Sequence, residues 1–184
     1  MTYDDQELLQ KHPVLERILI GSTDIQRRVK ELGNEISRDY EKRLPVLVSI
    51  LKGSYIFLAD LTRCLSIYHE VDFMAVSSYE GGTQSTGVVK IEKDLKTNIT
   101  DRDVIVIEDI IDTGLTISHL VELLETRAPR SIRVCALLDK KPARTKEVDI
   151  AYVGFEIPNE FVIGYGLDYD EKYRHLPFIG IMKG

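Results

Sequence analysis

The sequence has only two cysteines, Cys64 and Cys135, and neither stands at a metal-type spacing from other ligands. Both lie in apolar contexts, one helix-like and one strand-like, so buried free thiols and a reducing, cytoplasmic compartment are expected. His12, His69, His119 and His175 show no ligand spacing either. No apolar run is long enough to span a bilayer, and residues 1–5 lack a basic region leading into an apolar core, so neither a membrane span nor a secretory signal is expected. Basic charge is also short: 24 Lys and Arg against 30 Asp and Glu leave a formal net charge of -6. The two signs are mixed along the chain, which offers no broad attraction for nucleic acid or anionic lipid. GxxxxGK followed by Ser or Thr is missing, as is GxGxxG, which argues against ordinary P-loop and Rossmann nucleotide enzymes. There is no internal repeat. The 184 residues fit one domain with a sizeable core and room for a small lobe or flap.

What is present alternates between strand-like and helix-like runs. Ile25, Val29, Leu32 and Ile36 mark one face of an amphipathic helix over 23–40, with Thr23 placed to cap it. VLVSI at 46–50 reads as a core strand leading into LKGS at 51–54. A second helix follows, in which Tyr55, Leu58, Leu61, Thr62 and Leu65 can cover a sheet, and a strand follows over 71–77. SSYEGGTQSTG then loses apolar periodicity and gains Gly, Ser and Thr, the composition of a mobile loop over 78–87. VVKIEKDL returns as a strand, SIRVCALL at 131–138 is another, and 149–155 and 161–169 supply later strand and loop elements. Residues 173–184 read as a short final strand or a packed tail. Strand, helix, strand order of this kind points to an α/β sheet.

The densest chemistry lies in VIVIEDIIDTGLTI at 104–117. Residues 104–107 are apolar on both faces, as in the middle of a parallel sheet, and Leu115, Leu120, Val121 and Leu124 then recur at helical spacing. Between them Glu108, Asp109 and Asp112 are expected in an acidic turn at the carboxyl-terminal exit of the strand, where open parallel sheets bind ligands. Backbone N–H groups of the Asp112-Thr113-Gly114-Leu115-Thr116 turn can cradle a phosphate, with hydroxyl donors at Thr113 and Thr116. Gly114 permits close backbone approach. Asp112 or Thr113 can equally cap a helix, so from spacing alone the two readings stand level. Adjacent carboxylates repel unless a hydroxyl, a cation or solvent relieves them, and a sugar diol or a hard divalent cation would do so. In LKGS, Lys52 supplies positive charge, Gly53 backbone freedom and Ser54 a cap or a phosphate donor.

EDIIDTGLTI after VIVI resembles the phosphoribosyl-diphosphate motif of type I phosphoribosyltransferases, and the whole chain closely resembles the hypoxanthine-guanine phosphoribosyltransferases. LKGS is similar to the family's diphosphate loop, SSYEGGTQSTG to its flexible catalytic loop, LLDKK to its base-recognition strand end, and FVIGYGLDYDEKYR to its purine-side and magnesium-side segment. Order and approximate spacing agree from about residue 15 to residue 182. The resemblance implies a type I phosphoribosyltransferase fold, a mostly parallel central sheet flanked by helices. The core would span about 20–155, with a small hood lobe from the N-terminal segment and about 156–184.

It also implies magnesium-dependent transfer of 5-phosphoribosyl from its 1-diphosphate to N9 of a 6-oxopurine. Glu108 and Asp109 would address the ribose hydroxyls, directly or through Mg2+, and Asp112, Thr113, Gly114, Leu115 and Thr116 would surround the 5'-phosphate. Leu51, Lys52 and Gly53 would line the diphosphate site, with a non-proline cis peptide between Leu51 and Lys52. Lys140 would donate to the oxygen on purine C6, Phe161 would stack on the base, and the Val162 backbone would read its edge. Asp168 would help hold magnesium and diphosphate, and Arg174 would touch the diphosphate. Asp112 is the candidate proton acceptor near purine N7, Lys52 the stabiliser of the leaving group, and Ser78 and Tyr79 belong to the loop that folds over the reaction. Glu108, Asp109 and Asp168 are the candidate metal ligands. A homodimer or homotetramer is implied.

Each assignment has a plainer rival: Lys140 as a solvated residue of a basic run with Lys141, Phe161 as core, Asp168 as an exposed turn acid. Asp139, beside Lys140, is expected to place charge near the purine edge and alter tolerance for a 2-oxo group, or else to point into solvent. Competing functions are a phosphoribosyltransferase for xanthine, adenine or a pyrimidine, a non-enzymatic regulator that binds nucleotide or RNA, and a purely structural α/β protein. A lysine donates to O6 but cannot accept from a 6-amino group, which favours the 6-oxopurine.

Overall fold

In the computed structural model, residues 5–78 and 89–184 are described. Tyr79 and the rest of the expected catalytic loop lie outside them, as does the side chain of Ser78. The elements are α1 (Asp5–Lys11), β1 (Leu15–Ile20), α2 (Ser22–Asp39), β2 (Val46–Leu51), α3 (Tyr55–Cys64), β3 (Glu70–Ser78), β4 (Val89–Lys93), β5 (Asp103–Ile111), α4 (Leu115–Glu125), β6 (Ser131–Asp139), β7 (Tyr152–Glu156), β8 (Val162–Ile163) and β9 (Ile179–Met182). A 3-10 turn at Lys141–Ala143 follows β6.

A six-stranded sheet has the order β4-β3-β2-β5-β6-β7, parallel except for β4, which runs antiparallel along the edge. The alternating expectation is thus met by a mostly parallel sheet. Its chain leaves β2 through α3 to β3 on one side, yet returns with β5 on the other side of β2. That reversal opens a crevice above the carboxyl ends of β2 and β5, the usual ligand position in such sheets. β1, β9 and β8 make a separate antiparallel three-stranded sheet.

Strands buried on both faces need apolar residues at every position, and Val46–Ile50 and Val104–Ile107 are all buried. Leu47, Ile105 and Ile107 pack with α2 and α3 through Val29, Leu32, Ile36, Phe57 and Leu61. Val46, Val48, Val104 and Val106 pack on the opposite face with Ile117, Leu120 and Leu124 of α4. Each such side chain contributes about 1.5–3 kcal/mol by leaving water. Two local expectations are corrected. Gly21, in extended conformation, precedes α2 and no side chain caps the helix, so Thr23 lies inside its first turn. In α3 Phe57 takes the inward position with Leu58 and Leu61, while Tyr55 is exposed. Cys135 is buried as expected, whereas Cys64 is only half-buried. Among the described residues, no helix is long and apolar enough to cross a membrane.

Asp72 ties the edge hairpin to the core. Its carboxylate accepts the backbone N–H groups of Lys96 at 2.7 Å, Thr97 at 2.8 Å and Phe73 at 2.8 Å. Burial alone would raise its pKa, but the backbone donors prevail and hold it at about 2, below the ordinary carboxylate range. A carboxyl lowered on folding stabilises the native state above its unfolded pKa and loses that contribution as pH falls through the folded value. The shift corresponds to roughly 2 kcal/mol. Denaturant titrations of the wild type and Asp72→Asn should therefore differ most at neutral pH, with the gap closing between about pH 4 and pH 2. A gap that does not change with pH would contradict this role.

Candidate active site

Three chain segments converge on Gly53. It follows a cis peptide between Leu51 and Lys52, the bond the resemblance implied. A Cβ on Gly53 would lie 1.7 Å from Asp109 Oδ2, and a Cβ on Gly166 would lie 2.2 Å from the Gly53 carbonyl oxygen. Only glycine at both positions lets the β2–α3 turn, strand β5 and the loop after β8 touch. Gly166 also has φ +102, outside the comfortable range of other residues. Ser54 is turned inward: its hydroxyl meets Ser49 Oγ at 2.6 Å and donates to the Ile50 carbonyl, so it neither caps α3 nor faces a ligand.

Strand β5 is longer than its apolar run suggests. It continues through Glu108 and Asp109 to Ile111, because the ladder with β6 persists at Glu108–Ala136, Ile110–Leu138 and Ile111–Asp139. The acidic pair is therefore strand, not exit turn. Across it the core alternation slips by one residue: Ile107 and Ile110 pack on the α2–α3 side, Val106 and Ile111 on the α4 side. Glu108 is buried, and loss of solvent together with the Asp109 charge pushes its carboxyl well above the usual range. Asp109 is pushed up to about 6, by solvent exclusion first. The Ile110 and Asp109 backbone N–H groups and Arg174 work against that rise, while Asp168 adds to it. Among the described residues neither acid has an ion-pair partner. A diol, which donates two hydroxyl hydrogens, or a cation would relieve them.

The β5–α4 turn has the features of an anion cradle. Gly114 adopts φ 86, and no side chain caps α4; the Thr113 hydroxyl stands only loosely, 3.4 Å, from the Leu115 N–H. Beyond that long contact, no side-chain acceptor among the described residues competes for the first-turn donors of α4. Glycine at 114 is required by a close backbone approach within the protein. A Cβ would lie 2.3 Å from the Lys146 carbonyl, so the glycine admits the 140–146 segment, whose Thr145 and Lys146 N–H groups both donate to the Thr113 carbonyl.

That segment brings Lys140 in. Its N–H donates to the Ile111 carbonyl at 3.0 Å, and its ammonium lies 3.2 Å from Asp112 Oδ2. The lysine side chain is 9% exposed and that of Asp112 51%, so Lys140 is not the solvated residue of its rival reading. Asp139 does not point into solvent: it is buried and ion-paired to Arg144, whose Nε also donates to the Asp112 carbonyl at 3.2 Å.

A cavity of about 230 Å³ gathers Leu51, Gly53, Glu108, Asp109, Asp112, Thr113, Gly114 and Thr116. Leu115, Lys52, Lys140, Phe161, Val162, Asp168 and Arg174 do not line it. Lys140 reaches it through Asp112. Phe161 is 52% exposed, its ring edge-on to Tyr169 at 6.0 Å, and Val162 is buried in β8. Arg174 donates to the Gly166 carbonyl at 2.7 Å and pairs with Asp168 at 2.8 Å. Among the described residues no three Asp, Glu, His or Cys stand close enough to hold a metal, so Glu108, Asp109 and Asp168 do not form one ligand cluster. Sequence reasoning passed over Arg144, within a basic run, and Glu171, which pairs with Lys52. Neither carried a local signal.

The phosphoribosyl transferase domain family matches residues 21–170 of the chain. The hypoxanthine-guanine phosphoribosyltransferase of Bacillus subtilis is 49% identical over 175 residues, covering 95% of this chain and 97% of that protein. A bifunctional protein TilS/HprT of Listeria monocytogenes is 50% identical over 172 residues, 94% of this chain, and the chain spans 26% of that relative's length. A hypoxanthine phosphoribosyltransferase structure from Staphylococcus aureus superposes with a TM-score of 0.91 at 47% identity, covering 95% of both chains.

Proposed function

The chain belongs to the phosphoribosyl transferase family, with the type I fold, and from that premise we propose that it is a hypoxanthine-guanine phosphoribosyltransferase. It transfers 5-phosphoribosyl from 5-phospho-α-D-ribose 1-diphosphate to N9 of hypoxanthine or guanine, giving IMP or GMP and diphosphate. The observation that carries this is one cavity holding both an acidic pair, Glu108 buried and Asp109 partly so, with no ion-pair partner among the described residues, and a helix amino terminus without a side-chain cap. A phosphorylated sugar has the matching chemistry, a diol for Glu108 and Asp109 and a phosphate for residues 112–116.

Loss of the anomeric bond leaves positive charge on ribose and negative charge on diphosphate. Lys52 and the N–H groups around Gly53 stabilise the departing anion. Lys140 donates to O6 of the purine, and Asp112, beside it, accepts the proton or holds the hydrogen bond at N7. Phe161 stacks on the base, and the three-stranded sheet that carries Val162 acts as the hood. Ser78, Tyr79 and the loop to residue 87 close over the site and keep water from the activated sugar. Hard oxygen donors at Glu108 and Asp109, which have no ion-pair partner among the described residues, suit Mg2+ bound by one or two carboxylates and completed by substrate oxygens. Bound there, the metal would supply positive charge against the leaving diphosphate. The working form is a cytoplasmic homodimer or homotetramer.

Incubating the protein with magnesium, phosphoribosyl diphosphate and, separately, hypoxanthine, guanine, xanthine, adenine and uracil tests the assignment. Nucleotide and diphosphate should appear in equal amounts with the first two bases, and little with adenine. No product with any base would overturn the enzyme reading.

A further inference from the structure

Lys52 does not wait free for an anion. Both carboxylate oxygens of Glu171, 119 residues away in the chain, lie 3.0 Å from its ammonium. The same carboxylate stands 3.6 Å from Arg174 Nη2, whose nearer partner is Asp168 Oδ1 at 2.8 Å. One side chain thus spans the two cations assigned to the diphosphate, on the loop that Gly166 seats against Gly53. Its aim is set by the backbone. Tyr169 and Lys172 exchange backbone hydrogen bonds around Asp170 and Glu171, which take φ 53 and 58 as in a tight turn of the I′ kind. The Glu171 N–H also donates to Asp168 Oδ2 at 2.9 Å. Lys52 and Glu171 side chains are each 66% exposed, so water screens their attraction and the pair opens readily.

We propose that Glu171 is a built-in competitor of the diphosphate group, occupying Lys52 and Arg174 before the substrate arrives and reclaiming them as product diphosphate leaves. The inference rests on the transferase reading and adds to it a residue that sets anion affinity. An incoming diphosphate, with more charge and more acceptor oxygens than one carboxylate, displaces the glutamate. After transfer, the returning carboxylate speeds release and prevents product from holding the site. Glutamine at 171 keeps the length and the turn but removes the charge.

Calorimetric titration of inorganic diphosphate with magnesium into wild type, Glu171→Gln, Lys52→Met and the double variant is the test, at low and high potassium chloride. Glu171→Gln should bind diphosphate about two- to five-fold more tightly, the range of an exposed ion pair. The gain should shrink at high salt and largely vanish in the Lys52→Met background. KM for phosphoribosyl diphosphate should fall by a similar factor. Unchanged or weaker diphosphate binding by Glu171→Gln would overturn the proposal, as would an equal gain without Lys52. A merely structural glutamate would lower the melting temperature and leave diphosphate affinity as it was. If wild type neither binds diphosphate nor transfers to any base, the transferase reading falls and this inference with it. If wild type does both while the variant is indistinguishable from it, the competitor role alone falls.

Discussion

Replacing Asp112 with asparagine is expected to lower turnover with hypoxanthine by about 10²–10⁴-fold, the range for removing a positioned proton acceptor. Affinity for phosphoribosyl diphosphate should change little. The separation follows from how the residue is held. Its carbonyl accepts from Arg144, and the turn behind it is fastened by Thr145 and Lys146 to the Thr113 carbonyl, none of which involves the Asp112 side chain. Asparagine keeps the shape and an oxygen facing Lys140, but cannot take up a proton at neutral pH. The anion cradle is backbone and stays intact. Single-turnover rates beside equilibrium binding of the sugar diphosphate would make the distinction, and equal turnover in the two proteins would reject the proton role.

Lys140→Met is expected to cut kcat/KM for 6-oxopurines by about 10–10²-fold, because a charged hydrogen bond contributes roughly 1.5–3 kcal/mol and methionine fills the space without donating. Adenine, whose 6-amino group is itself a donor facing the ammonium, should lose less or gain. The ratio of hypoxanthine to adenine efficiency is therefore the decisive readout. Stability should be less affected than burial of Lys140 alone suggests. Its partner Asp112 is half-exposed, and water replaces the lost ion pair on that side. An unchanged base ratio would show that Lys140 serves the Asp112 contact and not the purine.

The two variants probe the same 3.2 Å contact from opposite ends. In the substrate-free protein Lys140 and Asp112 satisfy one another. On the proposed reading, a purine presenting O6 to Lys140 and N7 to Asp112 would substitute for that pairing at both ends. Combining both substitutions should cost less than the product of the single effects.

From α2 onward most of the strands and helices and their order were legible because apolar period is a local property, whereas α1 and β1 were not read. Leu32 and Ile36 are inward for the same reason that they recur at helical spacing, and 104–107 is buried on both faces as its unbroken apolar run required. The strand, tight turn and helix of the 104–117 stretch were legible too, from its apolar run, its glycine and the helical spacing that follows. Boundaries failed where pairing overruled pattern. Glu108 and Asp109 read as turn residues, yet the ladder with β6 carries them as strand. Thr23 looked like a cap, but the chain enters α2 through Gly21, two residues earlier.

Amino-acid pattern alone, then, decided the class of sheet, the crevice end of β5 and the kinds of group available there. Which of those groups face each other was decided by the fold. The parallel register of β5 and β6 sets Ile111 opposite Asp139, and only that alignment carries Lys140 to Asp112. The loop after β8 returns over the sheet, sets Gly166 on Gly53 and hands Glu171 to Lys52. Contacts between residues so distant in the chain depend on crossovers and strand register, whose energies are summed over the whole core and leave no mark in any short stretch of sequence.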